Sequence, residues 1–454
     1  MTLEHLTLPT PAGGGRTPAR FLTVVLDDDP TGTQCTHGVD VVLDAEPGHV
    51  AQALRTAGDS LYVLTNTRSL PESAARDLVT RLAGQVRAAA AWQGRTARVV
   101  LRGDSTLRGH AAAEMEAAGL QESVGVLVPA YPAAGRTTVG GVHRLLQDGR
   151  PVEVARTEYA ADPVFGYCHS DLARWAKDAG LAGPFFTVPL AELRDTRAAV
   201  LLRTLLDAPL GSVVIPDAET DDDIRLIAAA MDAAERQGRP LLARTASPLA
   251  AQLAGTVPQS LHGDALARHQ QVLVVCGSHT EGATRQLAAL GGRIVELPTD
   301  LAFEAAGRPE LLAGLVTLTR RRLESDGFAI LATERTRRTQ HARLQDGAVV
   351  MDALVAVTRR LIAHCDALVA KGGITSADLA RRAAGAATAH VLGQVETGVP
   401  VWRLHTPDHS RLTYVVVPGN IGSPDTLRRI VRSLRTSPAS RPTAQGDARA
   451  CPMD

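Results

Sequence analysis

Short apolar runs alternate along the chain with longer segments that have the Ala/Leu/Arg pattern of amphipathic helices. This alternation restricts the fold more than any other feature, because strands separated by such helices form parallel sheets with helices on both faces. The runs predicted as strands are 21–26, 61–64, 99–101, 124–128, 212–215, 272–275, 293–297, 328–331, 367–369 and 414–417. The sequence therefore predicts an α/β protein.

The length of the chain favours two domains. With 454 residues, of which 45% are hydrophobic, it has enough apolar surface for two cores. We expect each domain to be a mostly parallel sheet flanked by helices, with an active-site cleft between them. The polar stretch 258–270 is the predicted linker between domains at 20–257 and 271–436. Residues 1–19 and 437–454 have no apolar period and are expected to be disordered tails.

Charge and cysteine usage exclude several classes of function. The 48 basic and 48 acidic residues balance without long blocks of one sign, which argues against binding to nucleic acid or a membrane surface. Even the Arg-rich stretch 335–343 is expected to be a solvated surface. The five cysteines form no CxxC pair, so neither a disulfide framework nor a zinc cluster is indicated, and no metal ligand is assigned. No export signal or membrane-spanning run is found, and we expect a cytoplasmic protein with a small-molecule partner.

Acids and arginines follow the strands of the first half, where ligands of parallel sheets bind. The first strand ends in three adjacent carboxylates, which cannot be buried without cations. The polar residues at these strand ends include Asp27, Asp28, Asp29, Arg68, Arg102, Gly103, Asp104 and Ser105. Arginine forks match carboxylates and hydroxyl-bearing neighbours add hydrogen bonds, which suits a small polyhydroxy acid. The alternative is that Arg68 and Arg102 only neutralise the aspartates as structural ion pairs.

Glycine-containing turns follow three strands of the second half, at 277–278, 372–375 and 418–422. Glycine lets the backbone approach a phosphate, and the N–H groups of a following helix attract the anion. The candidate phosphate-binding residues are Ser278, Lys371, Gly372, Gly373, Ile374, Thr375, Gly419, Asn420 and Gly422. A single glycine at a helix boundary is more often an ordinary turn than a phosphate site, whereas three such turns in one domain favour phosphate binding. The P-loop and dinucleotide fingerprints are absent.

The ordered motifs at 28–32, 65–68, 104–109, 129–137, 217–218, 277–278, 372–375 and 418–422 resemble those of the four-carbon acid sugar kinase family. The resemblance implies an N-terminal domain that binds the acid sugar and a C-terminal domain that binds ATP. It implies phosphorylation of a compound such as threonate, erythronate or a 3-oxo-tetronate. By resemblance, Asp28, Arg68 and residues 102–105 belong to the substrate site, and Ser278, residues 372–375 and residues 419–422 surround ATP.

Several positions depart from the motifs of typical family members. Those members read ADDLTGA where residues 27–33 read DDDPTGT, and they have a lysine at the position of Arg102. Ile374 replaces the acid of a GGET turn, and Val417 and Pro418 stand where a lysine commonly precedes the last glycines. These differences imply a divergent branch of the family.

Phosphoryl transfer requires an in-line hydroxyl, a carboxylate that takes its proton, and positive charge on the phosphates. We expect Asp28 or Asp104 to be the base or a metal-linked acid, and Arg68 and Arg102 to hold the substrate carboxylate. Mg²⁺ is expected to bridge the ATP phosphates, assisted by Lys371. A homodimer is compatible with this interpretation.

Two alternatives remain open at this point. In a phosphatase or phosphotransferase of the haloacid dehalogenase type, Asp27 is the nucleophile and Asp29 the acid of a DxDxT motif. Asp217, residues 221–223 and Lys177 then complete the site. In a non-catalytic sugar-acid binding protein, only the first half has a ligand.

Overall fold

The computed structural model describes residues 21–147, 149–262, 265–336, 344–406, 412–419 and 421–435. The strands are β1 Phe21–Asp27, β2 Asp40–Val42, β3 Ser60–Leu64, β4 Thr96–Arg102, β5 Val124–Val128, β6 Arg136–Val139, β7 Val142–Gln147, β8 Arg150–Glu153, β9 Phe185–Val188, β10 Val213–Pro216, β11 Leu241–Thr245, β12 Val272–Cys276, β13 Ile294–Leu297, β14 Phe328–Thr333, β15 Ala367–Lys371, β16 Thr388–Glu396, β17 Val399–His405 and β18 Thr413–Val417. The helices are α1 Pro47–Thr56, α2 Glu72–Trp92, α3 Ala111–Ala117, α4 Leu172–Asp178, α5 Leu190–Asp195, α6 Ala199–Asp207, α7 Asp221–Arg236, α8 Ser247–Leu253, α9 Glu281–Leu290, α10 Thr299–Glu304, α11 Ala313–Asp326, α12 Leu344–Leu361, α13 Gly373–Asp378 and α14 Thr426–Leu434.

Within the described residues, fifteen strands form one sheet in the order β13-β14-β12-β15-β18-β17-β16-β2-β3-β1-β4-β11-β5-β10-β9. The strands from β2 to β9 in this order are all parallel, and so are those from β13 to β18. The α/β prediction is confirmed. The antiparallel pairing of β2 with β16, which joins the two halves into one sheet, was not predicted.

Burial on both faces explains why the parallel strands read as apolar runs. Every residue of β1 after Phe21 is buried, because helices cover both faces of the sheet. On α2, the buried positions Ala75, Val79, Leu82 and Val86 recur every three or four residues and form the stripe that packs on the sheet. These strands and helices fix the positions of the loops at the carboxyl ends of the strands.

The sequence pattern missed β2 and the edge strand β9, and it also missed strands in three other places. β11 is central, between β4 and β5, but its apolar pattern is interrupted by Arg244. β16 and β17 form a long antiparallel pair beside the junction. A separate antiparallel sheet of β6, β7 and β8 projects from the first half.

The predicted linker is packed against β16 of the sheet. The backbone N–H of Leu261 donates to the carbonyl oxygen of Gln394 at 2.8 Å, and the N–H of Gln394 donates to the carbonyl oxygen of Gln259 at 2.8 Å. The side chains of Leu261 and Leu266 are buried. No helix among the described residues combines the length and the apolar composition needed to cross a lipid bilayer.

Candidate functional site

The chain folds back sharply where β1 ends, and this turn gathers the three adjacent carboxylates. Asp29 caps the 3₁₀ turn Pro30–Cys35, with its carboxylate accepting a hydrogen bond from Thr31 N at 2.7 Å. Gly32 lies directly over Asp27, so that a Cβ at this position would overlap the Asp27 carboxylate. A glycine is therefore required for the turn to close over β1.

Arg102, at the end of the neighbouring strand β4, contacts all three acids. Its Nη1 lies 3.0 Å from Asp27 Oδ1, 3.3 Å from Asp28 Oδ1 and 3.2 Å from Asp29 Oδ1. Its Nη2 donates to Thr31 Oγ1 at 3.2 Å. Both terminal nitrogens of this buried guanidinium are thus used on protein oxygens, as the structural ion-pair alternative predicts.

Asp104 is held between two further arginines. Arg68 contacts Asp29 and lies 3.3 Å from Asp104 Oδ2, and Arg108 Nε donates to the same oxygen at 2.7 Å. Thr106 donates to both Asp104 oxygens. Burial opposes ionisation of Asp104, but Arg108, Arg68 and the Thr106 hydroxyl hold its pKa well below the usual range. Asp104 is therefore ionised and saturated with donors, which makes it a poor proton acceptor.

Asp28 differs from its neighbours because one of its oxygens has no partner. Its side chain is 2% exposed, and Oδ2 is the only buried carboxylate oxygen among the described residues without a hydrogen bond. Gly109, with φ at +127°, approaches so closely that a Cβ there would lie 3.4 Å from Oδ2. A buried, unpartnered carboxylate oxygen is available for a proton or a cation.

Asp27 has a different electrostatic environment. Burial raises the pKa of Asp27 to about 7, with Asp28 adding to the increase and Arg102 opposing it. The single positive charge of Arg102 is shared among three carboxylates, so Asp27 ionises only near neutral pH. Asp27 and Asp104 therefore differ strongly in their affinity for a proton, although both contact arginines.

The glycine turns of the second half converge on one cradle. A Cβ at Gly372, where φ is +114°, would lie 3.1 Å from both Ser278 Cβ and Thr375 Oγ1. A Cβ at Gly419 would lie 3.4 Å from Ser278 Oγ, and Thr280 Oγ1 donates to Gly419 O at 3.2 Å. The loops after β12, β15 and β18 therefore meet. Of the remaining predicted residues, Ile374 is exposed and Asn420 lies outside the described residues.

Two cationic side chains, those of Lys371 and Arg335, contact backbone carbonyl oxygens of this cradle. Lys371 is completely buried, and its Nζ donates to Pro418 O at 2.6 Å; burial lowers the pKa of Lys371 to about 8. Arg335 contacts Ser278 O and donates to Thr284 Oγ1 at 3.1 Å. Sequence reasoning missed Arg335, because an Arg-rich stretch is typical of a solvated surface.

The two halves meet at the acidic cluster. A Cβ at Gly373, the first residue of α13, would lie 3.2 Å from Asp29 Oδ2 and 3.9 Å from Arg68 Nη2. Gly103 and Ser105 are part of the same region, with Gly103 N–H donating to Thr245 O at 2.8 Å and Ser105 O 2.9 Å from His143 Nε2. The structure thus brings the predicted first-half residues together and sets them against the turn after β15.

Comparison with known proteins identifies the family to which the chain belongs. Residues 23–253 match the model of a sugar-binding N-terminal domain, and residues 273–427 match that of a nucleotide-binding C-terminal domain. The chain belongs to the four-carbon acid sugar kinase family. It is 29% identical over 434 residues to a D-threonate kinase of Salmonella typhimurium, covering 89% of this chain and 96% of the relative. It is 30% identical over 406 residues to a D-threonate kinase of Bordetella bronchiseptica, covering 86% and 90%.

Solved structures agree with the acid sugar kinase fold. A Salmonella typhimurium LT2 protein, solved under the description of a tRNA synthase, aligns with a TM-score of 0.69 at 18% identity, covering 92% of this chain and all of that one. A Haemophilus influenzae protein of the DUF1537 family aligns with a TM-score of 0.61 at 19% identity, covering 90% and 98%. At these identities the likeness shows the fold alone.

An open cleft lies between the two halves of this family member, and its walls contain none of the four clustered aspartates. Its volume is about 450 Å³. Its walls include Tyr131, Arg136 and Tyr159 from the first half and Gly422, Thr426 and Arg429 from the second. Asp104 instead lines a cavity of about 10 Å³, which holds no more than a water molecule. The acidic cluster is therefore closed in this conformation, whereas the cleft is large enough for a small ligand.

The residues that a haloacid dehalogenase site needs are not assembled in this kinase. Asp217 accepts hydrogen bonds from Gly140 N at 2.7 Å and Gly141 N at 2.9 Å, and Asp223 forms the capping box of α7 with the N-cap residue Thr220. Lys177 is exposed on α4. The nucleophile proposed in that alternative, Asp27, is buried beneath Gly32.

Proposed function

We propose that this protein is an ATP-dependent kinase that phosphorylates a hydroxyl of a sugar acid of about four carbons. Candidate substrates are threonate, erythronate and a 3-oxo-tetronate, and the kinase relatives named for D-threonate and D-erythronate support this class. The observation that carries the proposal is a buried carboxylate cluster with one unpartnered oxygen, set against a glycine cradle of the other half. The carboxylate cluster comes from the first half and the glycine cradle from the second. A binding protein with a single ligand would not need both.

Asp28 is the better candidate for the base. Its Oδ2 has no partner, whereas Asp104 is saturated by Arg68, Arg108 and Thr106. A base must be able to accept the proton of the attacking hydroxyl, and the low pKa of Asp104 leaves it little affinity for one. Asp104 instead holds the arginines in place.

We propose a role for Arg102 that differs from the one expected from the sequence. The sequence led us to expect that Arg68 and Arg102 hold the substrate carboxylate. Arg102 already uses both terminal nitrogens on Asp27, Asp28, Asp29 and Thr31, so it serves as the counterion of the acids. The Arg68 side chain is 19% exposed and retains access to a ligand.

The glycine cradle is the proposed ATP site. The glycines at 372 and 419 let the loops that carry Ser278 and Thr375 approach one another closely. The backbone N–H groups at the start of α13, from Gly373 to Thr375, suit phosphate oxygens, whereas the N–H of Gly372 donates to Val417 O at 2.9 Å. Lys371 contributes by fixing the carbonyls at 418 and 419 rather than by facing the cradle. This arrangement supports Lys371 as a positioning residue for the last glycine turn.

The acidic cluster offers Mg²⁺ one protein ligand. The orphaned Oδ2 of Asp28 is the carboxylate oxygen available to a cation, and most other ligands would come from phosphates and water, as Mg²⁺ prefers in kinases. When bound, the ion neutralises charge on the phosphates. Asp28 would then orient either the ion or the hydroxyl.

The decisive experiment measures ATP consumption with a panel of four- to six-carbon aldonates and their oxo forms, with and without Mg²⁺. We expect transfer to a four-carbon acid, with the phosphorylated product identified by ³¹P NMR and mass spectrometry. Hydrolysis of phosphate esters without ATP, through a trapped phosphoaspartate, would contradict the proposal. The cytoplasmic location and a homodimer stay predictions.

A further inference from the structure

We propose that Arg136 binds the carboxylate of the sugar acid and so makes the enzyme select acids over neutral polyols. This inference rests on the proposed function, because it assigns the part of the substrate that the kinase recognises. It replaces the role that the sequence led us to give to Arg102.

Arg136 is a buried cation without an anion. Its side chain is 5% exposed, its Nη1 donates only to the backbone Ala134 O at 3.2 Å, and its Nε has no hydrogen-bond partner. Among the described residues no carboxylate lies within ion-pair distance of it. Burial also lowers the pKa of Arg136, although Asp104 opposes this effect. A buried charge in this condition is costly unless a ligand pairs with it.

The other buried arginines also include ones with an unpartnered Nε, but each of them has a carboxylate partner, so that the lack of a carboxylate in the described part of the chain is what sets Arg136 apart. Arg102 pairs with three aspartates, Arg98 with Asp232 and Glu235, and Arg244 with Glu114. All four are at most 7% exposed. Three of the four therefore follow the rule that a buried guanidinium meets a carboxylate, and the fourth is the one that lies on the cleft.

The position of Arg136 places this cation where a substrate can reach it. It begins β6 directly after Gly135, which has a φ of +72° and also lines the cleft. Together with Tyr131 and Tyr159 it forms the first-half wall of the cleft of about 450 Å³. This volume lies in the usual range for small-molecule sites, roughly 300–1,000 Å³.

The arginine fork and its surroundings favour a single carboxylate. Arg108, whose guanidinium lies 5.0 Å above the Tyr159 ring, adds a second cation nearby, but it is already paired with Asp104. One unpaired guanidinium matches one singly charged group with bidentate geometry. A nucleotide phosphate has related chemistry, so the test must separate the two sources of the anion.

The test measures binding without catalysis, by calorimetric titration of D-threonate and of threitol, its neutral polyol counterpart. The proteins are the wild type, Arg136→Gln, Arg136→Lys and the control Arg150→Gln, which removes an exposed arginine from the same three-stranded sheet. We expect the Kd for D-threonate to rise about 100-fold in Arg136→Gln and by a smaller factor in Arg136→Lys, which keeps the charge but loses the fork. Arg150→Gln should match the wild type, and threitol should bind weakly to all four.

Each other outcome decides between the proposals. Unchanged D-threonate binding by Arg136→Gln overturns the inference, as does failure of the wild type to bind any acid of the panel. Loss of affinity for a non-hydrolysable ATP analogue alone would assign Arg136 to the phosphates and also overturn it. Acid binding that depends on Arg136 without phosphoryl transfer in the wild type would reject the kinase and leave the inference standing. If Arg136→Gln does not fold, the Arg136→Lys titration decides.

Discussion

At the scale of single residues, the run of three aspartates divides into three roles. Asp29 caps the turn, Asp27 shares the charge of Arg102 and has a raised pKa, and Asp28 keeps one oxygen without a partner. A single arginine cannot fully neutralise three carboxylates, so the cluster is poised to accept positive charge. At Arg136 the charge is unbalanced in the opposite sense, because a buried positive charge has no carboxylate partner within the part of the chain that the structure describes.

Replacing Asp28 by asparagine tests its role as the base. We expect kcat for the sugar acid to fall by roughly 10²- to 10⁴-fold, the usual contribution of a general base. Because Oδ2 has no hydrogen-bond partner to lose, and the asparagine oxygen still accepts from Arg102 in the place of Oδ1, the melting temperature should change little. Steady-state kinetics and thermal unfolding check both statements.

The matched control is Asp77→Asn, at an exposed position of α2, which should retain wild-type turnover. Retained activity in Asp28→Asn would remove this carboxylate from the mechanism.

The raised pKa of Asp27 predicts how stability depends on pH. The folded protein holds a proton on Asp27 up to about pH 7, whereas the reference carboxyl loses it near 3.8. This contribution to stability is therefore fully present below pH 3.8 and is lost as pH rises to about 7. Each pKa unit corresponds to about 1.4 kcal/mol, so the total is up to roughly 4 kcal/mol.

Urea unfolding of the wild type and Asp27→Asn at several values between pH 4 and pH 8 measures this effect. The difference in unfolding free energy, wild type minus variant, should fall as pH rises, while titrations common to both proteins cancel. A difference that is constant or increases with pH would show that Asp27 ionises normally in the folded protein.

At the scale of elements, the turn after β1 depends on one glycine. Gly32→Ala places a Cβ into the Asp27 carboxylate, so the turn must open or the acid must move. We expect a loss of stability of roughly 1–3 kcal/mol, typical of overpacking, together with loss of activity. Gly58→Ala is the control, since a Cβ at that position would have nothing within 4 Å. Equal stability and activity in both variants would mean that the turn tolerates the methyl group.

Whether a strand could be predicted from the sequence depends on whether all of its residues are apolar and buried. Apolar runs such as β5 and β12 were predicted because both faces of each strand are buried. β11 was missed because Arg244 interrupts it, and only the structure shows this arginine paired with Glu114. The acids and their strand ends could be located from sequence. The unpaired state of Arg136 could not, because it depends on which side chains distant parts of the chain bring near it.

At the scale of the whole molecule, sheet twist explains how loops of the two halves meet. The strands β1 and β15 run in opposite senses, because β2 and β16 join the halves antiparallel, and six strand-to-strand steps separate them. On a flat sheet their carboxyl ends would lie at opposite edges. A twist of roughly 20–25° per step adds up to about 120–150° and turns both ends towards one side. The approach of Gly373 to Asp29 agrees with this geometry.

A sheet and a core that continue through both halves predict that the protein unfolds as one unit. Residues as distant as Ile227 on α7 and Leu368 on β15 belong to one buried apolar cluster, and both are completely buried. We therefore expect a single calorimetric transition. Ile227→Ala or Leu368→Ala should remove roughly 2–5 kcal/mol and shift that whole transition to lower temperature. Two transitions in the wild type, with each variant shifting only one, would mean that the β2–β16 junction does not couple the halves and that the cleft between them opens freely.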